Sequence, residues 1–548
     1  MKTLYSIATK HKSLIAAFLL MGLTASFLQN FAPRYFQTVI DSFAAGSLTA
    51  VNIVIYGGAL IFLYIINYAH EYPWRKLEHS IRLGLKLEAI KKLSVIDYLS
   101  YTKLGTGTLI QRIENGSAAG SGILFGFYLR LAGELLPAMI FSVIFVFSIN
   151  HAVMVALLIG YIAVFIISNL LLKALYRVKE RILINEEKFN HILVRGFMEM
   201  VVFRINRRFA HEIKKAQAAS REIISSSVKM SMVHEAFFAI FAILIGLVKI
   251  GIIVYGWRAG ALTIGQIVAL IVLVDNAYQP IAVFNVLYVQ FKLDKIAFRR
   301  YEEFLEAKED GRLKGGVIVT ARNIGDISFS HVDFEYDGRQ ILKNFTLDIS
   351  PGTAIAFVGE SGSGKSTAVK LLAGLLQPHK GNITVDGKDL AQVNLNSYYQ
   401  HIAYLPQEPS IFDGTLRENL VFDEPHNDAD LIKALESVKL DGLLSNLEHG
   451  LDTPLGEKGV SLSGGERQQL ALARLWFSNA ELVIFDEATS AIDNLTEETV
   501  MRNVMERLQG RTVIAIAHRL DSIKGFDRIV VFKDGKIAEH SKFNEKQS

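Results

Sequence analysis

No cysteine occurs among the 548 residues, which rules out disulfides, thiolate metal centres and a cysteine nucleophile. That absence fits a reducing or an indifferent compartment and does not single one out. A surplus of one charge is nearly missing too. With 58 Lys and Arg against 54 Asp and Glu, the net charge of +4 is too small to suggest a nucleic-acid partner. Charged residues make up 20% of the chain and apolar ones 51%, a balance shifted toward lipid-facing composition. Such a length exceeds one compact core, and the composition divides it in two. Long apolar blocks fill the first part, and an ordinary α/β pattern follows from about residue 315.

Six segments have the roughly 20 apolar residues that a membrane-crossing helix needs: 13–36, 51–71, 132–149, 152–173, 235–256 and 262–290. The fourth, AVMVALLIGYIAVFIISNLLL, is the clearest. The start, MKTLYSIATKHKSLIAAFLLMGL, has the basic front and apolar run of a cleaved leader, but no small-residue cleavage site follows cleanly. Lys and Arg concentrate in the connections 71–130 and 173–229, while the alternate connections are short and nearly free of them apart from Arg258. Both termini are therefore expected in the cytoplasm. The two basic connections show helical spacing, so spans two to five are expected to continue as helices beyond the bilayer; the alternative is a pair of solvated loops. Turning points are expected at residues 105–116 (GTGTLIQRIENG) and 195–203 (RGFMEMVVF).

The second part contains GESGSGKST, residues 359–367, between the strand-like AIAFV and the helix-like STAVKLLAGLL. This is phosphate-loop spacing in the context the motif requires. Gly359, Gly362 and Gly364 let backbone amides face phosphate oxygens, with Glu360, Ser361, Ser363 and Thr367 completing the loop. Lys365 is expected at the outer phosphates of ATP and Ser366 on Mg²⁺. In ELVIFDEATS an apolar strand pattern ends on Asp486, placed for the magnesium shell, and Glu487, placed to polarise a water. A third element, LSGGERQ, runs from Leu462 to Gln468 and opens another glycine-started helix.

These three elements together resemble the ATP-binding cassette (ABC) family, and the six spans look like those of its exporter branch. The resemblance implies an all-α polytopic membrane domain of six helices with long cytoplasmic extensions, followed by an α/β P-loop ATPase domain. The expected boundaries are 1–306, a linker at 307–325, and 326–548. It also implies roles for single residues. Tyr336 would stack on adenine. Gln407 would sense Mg²⁺ and water. Leu462, Ser463, Gly464, Gly465, Glu466 and Gln468 would act on the ATP of another copy. Asp493 would communicate across the dimer, and His518 would contact the γ-phosphate. The membrane half departs from the pattern at Val201 and Val202, where relatives often carry a basic residue, and KIAEHSKFNEKQS lacks a glycine often found there.

The resemblance further implies ATP-driven export of an amphipathic or hydrophobic molecule, a lipid, peptide or drug-like compound, by a homodimer in a bacterial cytoplasmic membrane. A heterodimer with a second half-transporter is the rival assembly. Uptake through the same architecture, an ATP-gated channel or membrane regulator, and a membrane-tethered ATPase acting on DNA are the competing functions; six spans are excessive for a tether. Glu134, Lys249 and Asp275 are ionisable residues within spans, with Asn169 as a polar neighbour, and are candidates for a substrate pathway or for structural pairing.

Overall fold

A computed structural model describes residues 2–104, 106–260, 262–318, 326–422, 424–456, 462–517 and 525–542. The chain forms two compact units, Met1–Leu93 with Gly105–Glu306, and Ser94–Leu104 with Ala307–Ser548.

In the first unit the described residues are helical almost throughout. A short helix α1 (Lys2–Lys10) precedes α2 (Lys12–Ala44) and α3 (Ala50–Leu93). After α4 (Tyr98–Leu104), which belongs to the second unit, come α5 (Thr106–Ser121), two π-helical stretches (Gly122–Leu129 and Leu131–Leu135) and α6 (Leu136–Ile149). Then follow α7 (His151–Met198), α8 (Met200–Ile205), α9 (Phe209–Ala259) and α10 (Ile264–Leu305). By length and composition, five described segments are apolar enough to cross a membrane: Lys12–Ala44, Ala50–Leu93, Leu109–Ile149, Phe209–Arg258 and Ile264–Leu305. The expected span at 152–173 falls in the unbroken helix α7, whose apolar stretch His151–Val164 is shorter among the described residues.

Helices α6, α7, α9 and α10 meet in a core that includes Val146, Leu157, Phe241, Leu273 and Tyr278. Many large apolar side chains point outward instead, with Tyr68 86% and Val54 70% exposed. A surface this apolar suits lipid and not water. Inside, Ser142 Oγ donates to Asn30 Oδ1 at 2.8 Å, and Asn30 Nδ2 donates to Ser26 O at 2.9 Å. The first of these joins α6 to α2, and the second closes within α2.

The first turning point lies earlier than residues 105–116. From Thr106 the chain is already helix α5, and Ser94–Leu104 makes the reversal. Asp97 starts α4, accepting from Ser100 N at 3.1 Å. Gly116, in the expected turn, and Gly120 beyond it are contact residues. A Cβ on Gly116 would overlap Tyr301, and one on Gly120 would sit 2.5 Å from Leu85, so they let α5 pack closely on α10 and α3. Near residues 195–203, α7 ends at Met198 and α8 begins at Met200, with Glu199 between.

The second unit carries β1 (Ile327–Tyr336), β2 (Arg339–Ile349), β3 (Ala354–Gly359), α11 (Lys365–Leu372), β4 (Lys380–Val385), β5 (Lys388–Asp389), α12 (Leu395–Tyr399) and β6 (Ile402–Leu405). A helical portion follows, with the short strand β7 (Gly414–Thr415), α13 (Leu416–Val421), α14 (Asp428–Ser437), α15 (Asp441–Asn446) and the short strand β8 (Pro454–Leu455). The chain continues through α16 (Gly464–Ala473), β9 (Leu482–Asp486), α17 (Asn494–Arg507), β10 (Thr512–Ile516), β11 (Arg528–Lys533) and β12 (Lys536–Lys542). One sheet has the order β12-β11-β3-β10-β9-β6, parallel except for β12, and an antiparallel sheet has the order β2-β1-β4-β5. Strands β9 and β10 are buried at every position, as continuous apolar runs in a parallel sheet must be.

The expected linker 307–325 is anchored in its described part. Asp310 N donates to Val95 O at 2.9 Å, Ile96 bridges Glu309, and Val317 bridges Val393. Residues 319–325 lie outside the described residues.

Candidate nucleotide site

Ligands of open α/β sheets bind beyond the carboxyl ends of the parallel strands, and the phosphate-loop residues occupy that edge. The loop leaves β3 at Gly359 and enters α11 at Lys365. It needs left-handed backbone at Gly362 (φ 82°) and Gly364 (φ 108°), and a Cβ at Gly364 would sit 2.7 Å from Leu342. Glu360 and Ser361 form the exposed crest, while Ser363, Lys365 and Thr367 are buried. Lys365 Nζ donates to Gly359 O at 2.7 Å and to Glu360 O at 2.9 Å. Burial pushes its ammonium below the ordinary value, while the carboxylates of Glu487 and Asp486 act the other way.

Two strands away, Asp486 ends β9. Its Oδ1 accepts from Ser366 Oγ at 3.2 Å and its Oδ2 from Tyr404 Oη at 3.0 Å. Ser366 and Asp486 are hard oxygen donors side by side, which suits Mg²⁺, an ion that takes few protein ligands and completes its shell with phosphate and water. The buried Ser363 Oγ has no partner within the protein, as befits a loop that receives an acceptor-rich group. Residues and chemistry therefore fit a magnesium–nucleotide complex.

Glu487 follows at φ 55°, a left-handed conformation unusual for a residue with a side chain. Its Oε2 accepts from Gln407 Nε2 at 2.9 Å, so Gln407 and Glu487, 80 positions apart, meet beside Asp486. Tyr336 ends β1, half-buried and edge-on to Phe334 with ring centres 4.9 Å apart; burial raises its phenol. Beside it, Asp337 pairs with Lys103 of α4 at 3.0 Å.

The LSGGERQ segment starts α16. Ser463 is the N-cap, its Oγ accepting from Glu466 N at 3.3 Å while Glu466 Oε2 accepts from Ser463 N at 2.6 Å. This reciprocal capping box holds the helix start. Ser463 is exposed, Gly464 and Gly465 are partly so and lie against Ala491, and Leu462 is buried. Gln468 does not belong with residues that face outward. At 3% exposure it turns into its own subunit, donating to Gln407 O at 3.0 Å and Ser490 Oγ at 3.1 Å and accepting from Ala491 N at 2.8 Å. The helix enters the interior directly after its exposed start: every residue from Gln468 to Ala473 is buried. Asp493 caps α17, accepting from Thr496 N at 3.0 Å, and these bonds hold its carboxyl below the usual range. His518 lies outside the described residues.

In the first unit, Lys249 on α9 and Asp275 on α10 form an ion pair at 2.6 Å. Glu134 pairs with Arg130 at 3.2 Å, with the Arg130 guanidinium 4.7 Å above the Trp74 ring. Asn169 has no described side chain. Sequence reasoning missed Tyr404 and the inward orientation of Gln468. Only the pairing of β6 with β9, which sets Tyr404 opposite Ile484, places the phenol near Asp486.

The profile of the ABC transporter family matches residues 342–490, which include the phosphate loop, Gln407, the 462–468 segment and Glu487. The ATP-dependent lipid A-core flippase of Neisseria meningitidis serogroup B is 35% identical over 356 residues, 64% of this chain and 57% of the flippase. The leukotoxin translocation ATP-binding protein LktB of a Pasteurella haemolytica-like species is 37% identical over 292 residues, 52% of this chain and 41% of LktB. These matches span less than three fifths of either relative. The solved structure of a bacterial Atm1-family ABC exporter with ATP bound superposes with a TM-score of 0.82 at 23% identity, over 97% of this chain and 95% of that one. At that identity the likeness concerns the fold.

Proposed function

From a chain that belongs to the ABC transporters, with the half-transporter architecture of the exporters, we infer a pump: two copies hydrolyse ATP and move an amphipathic or hydrophobic molecule out across the cytoplasmic membrane. The observation that carries this reading is the meeting of Lys365, Ser366, Asp486, Glu487 and Gln407 at one sheet edge, in a chain with five segments among the described residues that are long and apolar enough to cross a membrane.

The chemistry follows from the side chains. The amides of the 359–367 loop and the Lys365 ammonium would bind the phosphates of ATP, and Tyr336 would carry the adenine. Mg²⁺ held by Ser366 and Asp486, with Gln407 nearby, would neutralise charge on the phosphate oxygens. Glu487, oriented by Gln407, would align and deprotonate the attacking water, and His518 would stabilise charge on the transferred phosphoryl.

One chain supplies one cassette, and the exposed helix start at Ser463 with Gly464 and Gly465 would complete the nucleotide site of a second copy, with Glu466 holding its cap and Asp493 signalling between subunits. Leu193, Phe197, Met198, Val201 and Ile205, all exposed around the second turning point, would offer the first unit an apolar docking face in such a dimer. Lys249 and Asp275 pair with each other across α9 and α10, so they would serve the packing of the spans, with a substrate contact as the alternative role.

Purified protein reconstituted in lipid vesicles tests the reading. Cargo-stimulated ATP hydrolysis with uphill, ATP-dependent accumulation in inside-out vesicles is expected. An ATPase indifferent to every lipid, peptide and drug-like compound tried, or flux that only runs downhill, would overturn it.

A further inference from the structure

Glu487 and Gln407 sit on separate loops, and both loops are tied to one buried side chain. Gln468 Nε2 donates to the Gln407 carbonyl at 3.0 Å and to Ser490 Oγ at 3.1 Å, and Gln468 Oε1 accepts from Ala491 N at 2.8 Å. Ser490 N in turn donates to Glu487 O at 3.2 Å, closing the turn in which Glu487 adopts φ 55°. The amide thus uses both its N–H groups and its carbonyl to clamp the backbone of the glutamine from one side and the turn after the glutamate from the other. At 3% exposure these bonds have no competition from water.

We propose that Gln468 is a positioning residue for hydrolysis in its own subunit, holding Gln407 at the distance from which it aims Glu487. The inference rests on the reading of Gln407 and Glu487 given above. Gln468 acts through backbone geometry and does not touch nucleotide. Loss of its amide lets the two loops drift, and errors of about 1 Å at a reacting group cost up to about 100-fold in rate. ATP binding, made by the phosphate loop and Tyr336, stays as it was.

The test is steady-state ATP hydrolysis by the full-length protein in lipid nanodiscs. Gln468→Met, which keeps the volume, and Gln468→Glu, which keeps the acceptor for Ala491 and loses the donor to Gln407, are each expected to lower kcat about tenfold or more, with KM for ATP within about twofold. Ser490→Ala, a small change that keeps the fold even where a Gln468 variant does not, is expected to lower kcat by a smaller factor with KM unchanged. Gln407→Ala with Gln468→Met is expected to be no slower than Gln407→Ala alone, because both remove the same aim. A wild-type kcat in both Gln468 variants, or a raised KM at constant kcat, overturns the proposal. So does a fully multiplicative loss in the double variant while Gln407→Ala alone is slow, which leaves the roles of Gln407 and Glu487 standing. If Gln407→Ala alone keeps wild-type kcat, the reading of Gln407 falls and the proposal falls with it.

Discussion

The phenol of Tyr404 donates to Oδ2 of Asp486 at 3.0 Å across the pairing of β6 with β9, leaving Oδ1 to the Ser366 hydroxyl. One carboxylate is thereby fixed from two sides, with its orientation set by a group on another strand. Partners of metal ligands commonly account for about 10–100-fold in metal affinity or activity. Tyr404→Phe, which removes only the hydroxyl, should therefore raise the Mg²⁺ concentration needed for half-maximal ATP hydrolysis about tenfold. Thermal stability should change little. A titration of activity against Mg²⁺ checks this, and an unchanged midpoint would assign Tyr404 to packing alone.

Glu487 adopts a left-handed backbone conformation, which is costly for a residue with a Cβ, and its carboxylate meets the Gln407 amide. In the proposed mechanism this carboxylate is the base, a role it would lose when made neutral. Glu487→Gln should cut turnover by about 100-fold or more while leaving ATP affinity close to wild type. Equilibrium nucleotide binding measured beside steady-state hydrolysis separates the two effects.

The candidate nucleotide site is legible in the sequence where its residues carry local signals. Gly362 and Gly364 are needed where φ is positive, and Asp486 ends a fully buried apolar strand. Ser463 and Glu466 form a capping box at the spacing such boxes require. What stayed hidden depends on contacts between distant segments. Gly116 looks like a turn residue in isolation, and only the presence of Tyr301 opposite makes it a packing residue. Gln468 lies in a segment whose first residues face outward, and its inward turn appears only once the 490–491 backbone is beside it. The sequence offers structural pairing among Glu134, Lys249 and Asp275 as one alternative, but which two of them meet depends on how α9 packs against α10.

Asp310 and Arg312 form a bidentate pair at the start of the second unit, 9% and 7% exposed, with Nε to Oδ1 at 2.9 Å and Nη2 to Oδ2 at 2.6 Å. Arg312 Nη2 also donates to Gly374 O at 2.7 Å, tying the segment after α10 to the turn after α11. Removing one partner strands the other charge in a buried place. Arg312→Met should destabilise this unit by about 3–5 kcal/mol, visible as a lower midpoint in thermal unfolding. Burial alone would raise the Asp310 carboxyl, but the bonds from Arg312 outweigh it and hold the group below its ordinary value. A carboxylate with a depressed folded value stabilises above its unfolded pKa and loses that contribution as pH falls through the folded one. The midpoint difference between wild type and Asp310→Asn should accordingly be present at neutral pH and shrink below about pH 4.

Whether nucleotide sites are shared between copies can be decided by counting intact sites. Lys365→Ala disables the phosphate loop of a chain, and Ser463→Arg places a bulky cation at the exposed start of α16 while removing its cap. Each variant alone should be nearly inactive. If sites are built from the loop of one copy and the α16 start of the other, a mixed dimer pairs the good loop of the Ser463→Arg chain with the good helix start of the Lys365→Ala chain. One site is then whole and the other carries both defects. Random assortment puts about half of the dimers in the mixed class, so about a quarter of wild-type ATPase activity should return on co-expression. If each chain encloses its own site, no combination contains a whole one and nothing returns. A tandem purification of doubly tagged mixed dimers, which removes the inactive parents, should raise the recovered activity to about half of wild type, and a background rate in that fraction would leave the shared-site dimer without support.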